Sequence, residues 1–327
     1  LDQVTVARSR KHIQRYYDVS AIGPFPRRND PVSIYPKLST LPNSTTYSEI
    51  ANSLDLLKLA VYIPSHYLLP SARGKYEGSL IAVNGSLQTR SYEDKNGNLT
   101  TSGRETGVRK LMAANLLKRL ESSISSFRLT LERVFSVMNQ CLNTIEVFKA
   151  EGMATAKVDA SSFGDGFDLD YEDADFMDFS VGGKTQFDLR DLDWKSWEKD
   201  VRDDAQTIEG LLEMIRGIDA EHDDKLLRLE QLIAEKVENP INPGNKKIIV
   251  FTAFADTANY LYEHISEFAS RELGLGVAEV TGSGGGKTNV EGVRGDLSEI
   301  LTCFSPVSKD RDKVYPRLRG KDIDILI

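Results

Sequence analysis

The stretch of sequence that decides the fold is Lys246-Lys247-Ile248-Ile249-Val250-Phe251-Thr252-Ala253-Phe254. Its apolar run predicts a short buried strand, and an amphipathic helix follows it. Further strands are predicted at 276–280 and 322–327, again separated by a helix. This alternation is typical of a parallel α/β unit, whose working loops follow the carboxyl ends of its strands. Because the last strand ends the sequence, we expect the chain to be a fragment that is cut beside such a loop.

The composition is that of an ordinary folded protein, and 327 residues are enough for two domains. The formal net charge of -8 argues against a dominant nucleic-acid-binding surface but leaves room for local basic patches. No apolar run reaches the roughly 20 residues of a bilayer-spanning helix, so no membrane partner is expected. Cys141 and Cys303 lie far apart in unlike contexts, which argues against a disulfide framework and predicts a cytoplasmic protein.

A long helical hairpin is predicted in the middle of the chain. From Leu117 to Phe148 the apolar residues recur three and four apart, which is the pattern of a helix that buries one narrow seam. A similar stripe runs from Trp194 to Ile233, and His222 interrupts it. We expect the two helices to pack antiparallel, with His222 as a packing residue rather than a ligand or a base.

Shorter elements are predicted before and after the hairpin. In order, they are a basic helix at 1–18, an extended loop at 19–45, a second helix at 46–70, a polar loop at 85–105 and a Pro- and Asn-rich linker at 239–245. The chain is therefore expected to divide into a first region at 1–105, the helical hairpin at 106–238 and an α/β domain at 246–327. The predicted fold class is α/β with a large all-α portion.

The segment that joins the two hairpin helices, 151–193, is strongly acidic. Between Asp159 and Asp178 it carries eight acidic residues, no Lys or Arg, and interleaved aromatic residues. Carboxylates are suitable ligands for hard metal ions, but the spacing of a calcium loop is absent, so we expect no metal. Two interpretations stay open: a solvated tip, or a surface that mimics a nucleic-acid strand or binds a basic protein partner.

The glycine-rich segment Gly282-Ser283-Gly284-Gly285-Gly286-Lys287-Thr288 has some features of a phosphate-binding loop. The P-loop pattern requires a first glycine five positions before Gly286, and that position is Thr281. The spacing therefore does not fit. The segment remains either a flexible loop between a strand and a helix or a loop whose backbone amides contact a nucleic-acid phosphate, since glycine permits a close approach.

Several of these segments resemble the superfamily-two helicases, and more narrowly the bacterial helicase-related proteins of the Swi/Snf-like branch. The strand from Ile248 to Phe254, followed by Thr281-Gly282, resembles the start of their second RecA-like lobe. Leu116-Leu117-Lys118-Arg119-Leu120-Glu121-Ser122-Ser123 resembles a helix of the insertion between the lobes. The block at 7–13 is similar to the one that closes the first lobe, with Ser9 as a departure.

The resemblance implies a motor that moves along duplex nucleic acid and uses ATP and Mg²⁺. It also implies that residues at two strand ends border the nucleic-acid backbone, namely Phe251, Thr252, Ala253, Thr281 and Gly282. For Phe251 and Phe254, packing beneath the strand is the alternative. The family's phosphate-binding loop, Asp-Glu metal motif and Gln-x-x-Gly-Arg block have no counterpart in this sequence. We therefore expect no catalytic residue, and the chain alone is expected to be inactive.

The leading hypothesis is a fragment of an ATP-dependent helicase or translocase, which contributes part of the second motor lobe and a helical insertion. Its nucleic-acid binding is expected to be weak and to fall steeply with salt. One rival is a non-catalytic helical module whose acidic tip at 151–193 binds a protein. Another is a small-molecule α/β enzyme that uses the loop at 282–286.

Overall fold

A computed structural model describes residues 10–16, 25–76, 101–152, 157–159, 186–282 and 285–327. Within them the α-helices are α1 (Arg10–Tyr16), α2 (Tyr47–Leu54), α3 (Thr101–Ser122), α4 (Ile124–Ala150), α5 (Trp194–Met214), α6 (Asp224–Glu238), α7 (Ala255–Leu273), α8 (Leu297–Phe304) and α9 (Arg311–Val314). The strands are β1 (Lys157–Asp159), β2 (Gln186–Asp188), β3 (Ile248–Ile249), β4 (Val277–Glu279), β5 (Lys287–Thr288) and β6 (Ile325–Leu326). The α/β class with a large helical portion is confirmed at this level. Most of the predicted acidic tip, at 160–185, lies outside the described residues.

Helices α4 and α5 pack along each other and run antiparallel. Phe148 at the end of α4 lies edge-on to Trp194 at the start of α5, with ring centroids 6.0 Å apart. At the other end, the Arg128 guanidinium donates to the main-chain oxygens of Ile215 and Ile218, at 3.0 and 2.6 Å. The seam between these contacts is buried and consists of Leu131, Val134, Met138, Cys141 and Ile145 from α4 and Trp197, Val201, Ile208 and Leu211 from α5.

The first predicted hairpin helix is in fact two helices, α3 and α4. They separate at Ser123, whose backbone is extended (φ −156°, ψ 152°) and whose hydroxyl accepts from the Ser126 N–H at 3.0 Å. This is an N-cap for α4. At the end of α3, Lys225 donates to the main-chain oxygens of Glu121 and Ser122, at 2.6 and 3.0 Å. Burial lowers the pKa of the Lys225 ammonium group.

The second predicted seam is confirmed as far as Ile218, which is buried in the same core as α4, and is wrong beyond it. Leu226 and Ile233 of α6 are buried in a separate core with Ile265 of α7, rather than against α4. His222 lies in the turn between α5 and α6 and not on a helix, and its Nδ1 lies 2.6 Å from Asp219 Oδ1. The helix α6 therefore belongs to the packing of the α/β unit.

The predicted helix at 46–70 ends with α2, and the chain continues as 3₁₀ turns. Leu59 has a positive φ of 53°, and Pro64 disfavours helical backbone in the residue before it. Asp204 of α5 accepts from the Ala60 N–H at 2.8 Å and so joins these turns to the helical core. Burial raises the pKa of the Asp204 carboxyl group.

Of two predicted connecting segments, 85–105 is partly wrong and 239–245 agrees with the structure. The loop predicted at 85–105 is wrong at its end, because α3 begins at Thr101; residues 85–100 lie outside the described part of the chain. The segment at 239–245 has no helix or strand, as a linker should. It is held by Arg27, whose N–H donates to Asn242 Oδ1 at 2.8 Å and whose guanidinium donates to the Ile241 main-chain oxygen at 3.2 Å.

The α/β unit is built on a four-stranded sheet with the order β3-β6-β4-β5. The last strand, β6, lies between β3 and β4 and runs parallel to both, whereas β5 is antiparallel to β4. Val277 and Ile325 pack with α7 on one face of the sheet, and Ala278 and Ile323 pack with α8 on the other. Coverage of both faces is the usual condition for a parallel sheet.

Arg119 of α3 joins the helical core to the α/β unit. Only 1% of this residue is exposed. Its guanidinium donates to Asn115 Oδ1 (2.8 Å), Ser126 Oγ (3.1 Å) and Asp256 Oδ2 (2.8 Å), and it lies over the Phe254 ring at 4.5 Å from the centroid. Since Asp256 is in the first turn of α7, this one side chain sets where α7 begins relative to α3 and α4.

We predict that Arg119→Ala lowers the free energy of unfolding by about 3 kcal/mol, because it removes one partner of a largely buried ion pair. Urea denaturation of the intact chain measures the effect. Arg216→Ala is the matched control, since Arg216 forms an exposed pair with Glu213 at 3.1 Å and exposed pairs contribute little. Equal small shifts for the two variants would contradict the role assigned to Arg119.

Candidate nucleic-acid interface

A cavity of about 370 Å³ lies at the carboxyl ends of β3, β4 and β6. The loop after β3, the loop after β4 and two leucines of α8 form its walls. Its lining consists of Ile249, Val250, Phe251, Thr252, Ala253, Phe254, Ala255, Ala258, Val280, Thr281, Gly282, Leu297, Leu301, Leu326 and Ile327. In open α/β sheets, ligands bind at this edge, at a point where the strand order reverses. The insertion of β6 between β3 and β4 creates such a point.

All five residues predicted to border nucleic acid line this one cavity, namely Phe251, Thr252, Ala253, Thr281 and Gly282. They come from two loops, after β3 and after β4, with the whole of α7 between them in sequence. The parallel sheet brings the two loops together, because the carboxyl ends of its strands lie at the same edge. The five residues therefore form one surface, to which Leu297 and Leu301 of α8 add apolar side chains.

The two phenylalanines of the loop after β3 have opposite environments. Phe254 is buried, as packing beneath the strand requires, and it carries the Arg119 guanidinium on its ring. Phe251 is 90% exposed, so the packing interpretation is wrong for this residue. Ile249 and Leu297 are each 50% exposed on the same rim. The entrance to the cavity is therefore apolar, and its most prominent feature is an aromatic ring.

None of the described residues that line the cavity has a charged side chain. Its polar groups are the hydroxyls of Thr252 and Thr281 and the main chain. Asp256, the residue after the lining residue Ala255, accepts from both Arg119 and Arg133, at 2.8 and 3.1 Å. Salt dependence of nucleic-acid binding arises where Lys and Arg neutralise phosphates. The described lining residues therefore include no Lys or Arg that would produce the steep salt dependence of binding expected from the sequence.

A chain of hydroxyl groups connects the loop after β3 to the end of α3. Ser122 Oγ lies 3.3 Å from Thr252 Oγ1 and 2.8 Å from Thr257 Oγ1, and Thr257 Oγ1 lies 3.0 Å from Ser123 Oγ. Sequence reasoning used the Lys-Arg-Leu-Glu-Ser-Ser motif as a mark of resemblance and missed that its serines contact the site. The signal that could have found them was the serine pair at the end of an otherwise apolar seam.

The glycine-rich segment has two different surroundings. Gly282 lines the cavity, and a Cβ added there would meet no atom within 4 Å. Gly286 is enclosed: its N–H donates to the Gly295 main-chain oxygen at 2.7 Å, and a Cβ would collide with the Ile300 side chain. Residues 283–284 lie outside the described part. The antiparallel strand β5 follows instead of a helix, so the helix N-terminus of a P-loop is missing and the segment is not a loop between strand and helix.

The remaining features of the described residues limit the chemistry of the site. Among them, no three His, Cys, Asp or Glu side chains are grouped so that they could hold a metal ion. None of the described helices combines the length and the apolar character that a membrane span requires.

Comparisons with protein families, with curated proteins and with solved structures found no match to this chain. What the site does must therefore be inferred from its geometry.

We predict that Gly286→Ala destabilises the α/β unit, because the added methyl group would lie 2.8 Å from the Glu279 main-chain oxygen and against Ile300. A lower urea midpoint for the variant is the expected result. Gly282→Ala is the control, since its methyl group has open space. If both variants unfold at the wild-type urea concentration, the close packing of Gly286 does not contribute to stability.

Proposed function

We propose that this chain is part of a cytoplasmic, ATP-dependent nucleic-acid helicase or translocase of superfamily two, related to the Swi/Snf-like branch. It contributes a RecA-like second-lobe portion, built on β3 to β6, and the helical insertion of α3 to α5. The observation that carries the proposal is the convergence of residues 251–253 and 281–282 on one cavity at the carboxyl edge of parallel strands. The two buried free cysteines, Cys141 and Cys303, support a reducing compartment.

The proposed ligand of the cavity is the backbone of duplex DNA. The hydroxyls of Thr252 and Thr281 and the main-chain amides beside Ala253 and Gly282 are groups that suit phosphate oxygens, and such contacts position a strand without reading its sequence. Gly282 supports this use because a Cβ added there would meet no atom within 4 Å, so a strand can approach the backbone closely on that side. Phe251 extends the surface beyond the cavity.

In the proposed motor, ATP and Mg²⁺ are the cofactors of the whole assembly, and we assign no catalytic residue to this chain. The role of the described residues is mechanical. The loop after β3 leads directly into α7, and Asp256 at the start of α7 is bonded to Arg119 and Arg133 of the helical insertion. A displacement of the α/β unit would therefore carry the insertion and the nucleic-acid surface together.

A second candidate is a non-catalytic protein-interaction module. The apolar rim of Ile249, Phe251 and Leu297, together with the uncharged lining, favours it, because exposed apolar patches also mark protein interfaces. In that case the acidic segment at 151–193 would be a further contact with a basic partner. Nucleic-acid binding by the intact chain separates the two candidates.

We predict that Gly282→Asp weakens binding of a fluorescein-labelled DNA duplex about fivefold. A carboxylate about 4 Å from a phosphate costs about 1 kcal/mol in water, which corresponds to that factor. Fluorescence anisotropy titrations of the intact chain give the dissociation constants. The open space around Gly282 makes the substitution compatible with the fold.

Ser270→Asp is the matched control, since it adds the same charge on an exposed residue that lines a groove at the amino ends of the strands. It should leave the affinity close to that of the wild type. Absence of duplex binding by the wild-type chain would refute the proposed function and favour the protein-interaction module. Equal weakening by both variants would show only the effect of net charge and would refute the assignment of the site.

A further inference from the structure

We infer that Ser122, Ser123 and Thr257 are positioning residues that orient the Thr252 hydroxyl so that it donates its proton into the cavity, to the phosphate oxygen of the proposed ligand. The inference rests on the proposed function, since it names the group by which the loop after β3 would hold the nucleic-acid backbone. The observation that supports the inference is a row of four hydroxyl groups that leads from the helical insertion to the cavity.

The row has three links, each within hydrogen-bonding distance. Ser123 Oγ to Thr257 Oγ1 is 3.0 Å, Thr257 Oγ1 to Ser122 Oγ is 2.8 Å, and Ser122 Oγ to Thr252 Oγ1 is 3.3 Å. Every link joins the α3–α4 junction to the α7 region, so the hydroxyls alternate between the two parts of the molecule. Each hydroxyl can donate one proton and accept others.

Both ends of the row already accept a proton from the main chain. The Ser126 N–H donates to Ser123 Oγ at 3.0 Å, and the Phe254 N–H donates to Thr252 Oγ1 at 3.4 Å. Four hydroxyl protons serve three links, so one of the four hydroxyls keeps a proton that no link uses, and the others donate towards it. If the row donates from Ser123 towards Thr252, the spare proton is on Thr252. In the opposite direction the spare proton is on Ser123, and if the two halves of the row donate towards each other it is on Thr257 or Ser122.

Burial excludes two of the four positions for the spare proton. Ser123 is 5% exposed and Thr257 is 3% exposed, so a spare proton on either residue would be a buried donor without an acceptor. Leaving a buried donor unpaired costs its full desolvation penalty. Thr252 is half-buried and lines the cavity, where solvent or a ligand supplies an acceptor. Ser122, the other remaining position, is half-buried but does not line the cavity, so a phosphate oxygen in the cavity favours the direction Ser123 to Thr257 to Ser122 to Thr252.

In this direction the site suits one class of ligand. A threonine hydroxyl that already accepts from Ser122 and from the Phe254 N–H offers its own proton outward. Its best acceptor is an oxygen atom, and a phosphate oxygen is the strongest because hydrogen bonds to ionised acceptors are strengthened. Among the described residues of the lining, no Lys or Arg competes for that oxygen. The serine pair of the Lys-Arg-Leu-Glu-Ser-Ser motif thereby takes part in the site without touching the ligand.

The test measures binding of the labelled DNA duplex to the intact chain at several salt concentrations. Thr252→Val keeps the shape of the side chain but removes the donor, and it should weaken binding about tenfold or more. The slope of log affinity against log salt should stay unchanged, because a hydroxyl releases no counterion. Thr252→Ser should bind within about twofold of the wild type, since it restores the hydroxyl.

Ser122→Ala tests the positioning role. It should weaken binding by a smaller factor of about three, because Thr252 keeps its proton but loses the neighbour that orients it, and Ser122→Thr should restore binding. Thr207→Val is the control, since it removes a hydroxyl bonded to the Asp203 main-chain oxygen of α5, away from the cavity. It should change neither affinity nor slope. Urea midpoints of all variants show whether each is folded. If Thr252→Val does not fold, the affinities of Ser122→Ala and Ser122→Thr test the inference.

The possible results are separable. If the wild type binds DNA and Thr252→Val binds equally well, the inference is overturned and the proposed function stands. A lower salt slope in Thr252→Val, or an equal loss in Thr207→Val, would also overturn the inference, because the hydroxyl would not be the cause. Failure of the wild-type chain to bind DNA would overturn both.

Discussion

The arrangement of this molecule depends on the need to satisfy one buried cation. Arg119 is 1% exposed, so its guanidinium must find its acceptors inside the protein. Asn115 and Ser126 supply two of them from α3 and α4, and Asp256 supplies the charged one from α7. These bonds can form together only if the three helices meet at one point. The loop after β3 enters α7 at that point, so the location of the candidate site follows from the satisfaction of this side chain.

The periodic parts of the fold were predictable from the sequence, and the junctions between them were not. The seam from Phe127 to Phe148 predicts one face of α4, because burial repeats every turn of a helix. The same three-and-four spacing continues across Ser123, so periodicity did not reveal the break, which results from hydroxyl capping of α4. The apolar stripe of α6 was recognisable as well. A stripe does not specify its partner, however, and Leu226 and Ile233 pack with α7 instead of α4.

In the candidate site, too, the local sequence pattern predicted which residues take part but not the contacts between them. The resemblance to helicases named Phe251, Thr252, Ala253, Thr281 and Gly282, and the parallel sheet brings these residues to one cavity. No local pattern could show that the lining lacks charge or that Phe251 is exposed, because both depend on which side chains the sheet and α8 place around the loops. The net charge of -8 agrees with the proposed surface, which would contact its ligand through hydroxyls and main-chain groups rather than through a basic patch.

The Lys-Arg-Leu-Glu-Ser-Ser motif combines two tasks that a proposed motor has to couple. Its arginine holds α7 through Asp256, and its serines reach the hydroxyls of Thr257 and Thr252. A flexible link between the insertion and the nucleic-acid surface would let the surface yield when ATP binding closes the lobes, and the displacement would be lost as local motion. A link made of a largely buried ion pair and several hydrogen bonds has few alternative arrangements, because most of them leave a buried polar group unpaired. The same bonds that stabilise the junction would therefore transmit force to Thr252 and the strand-end loop.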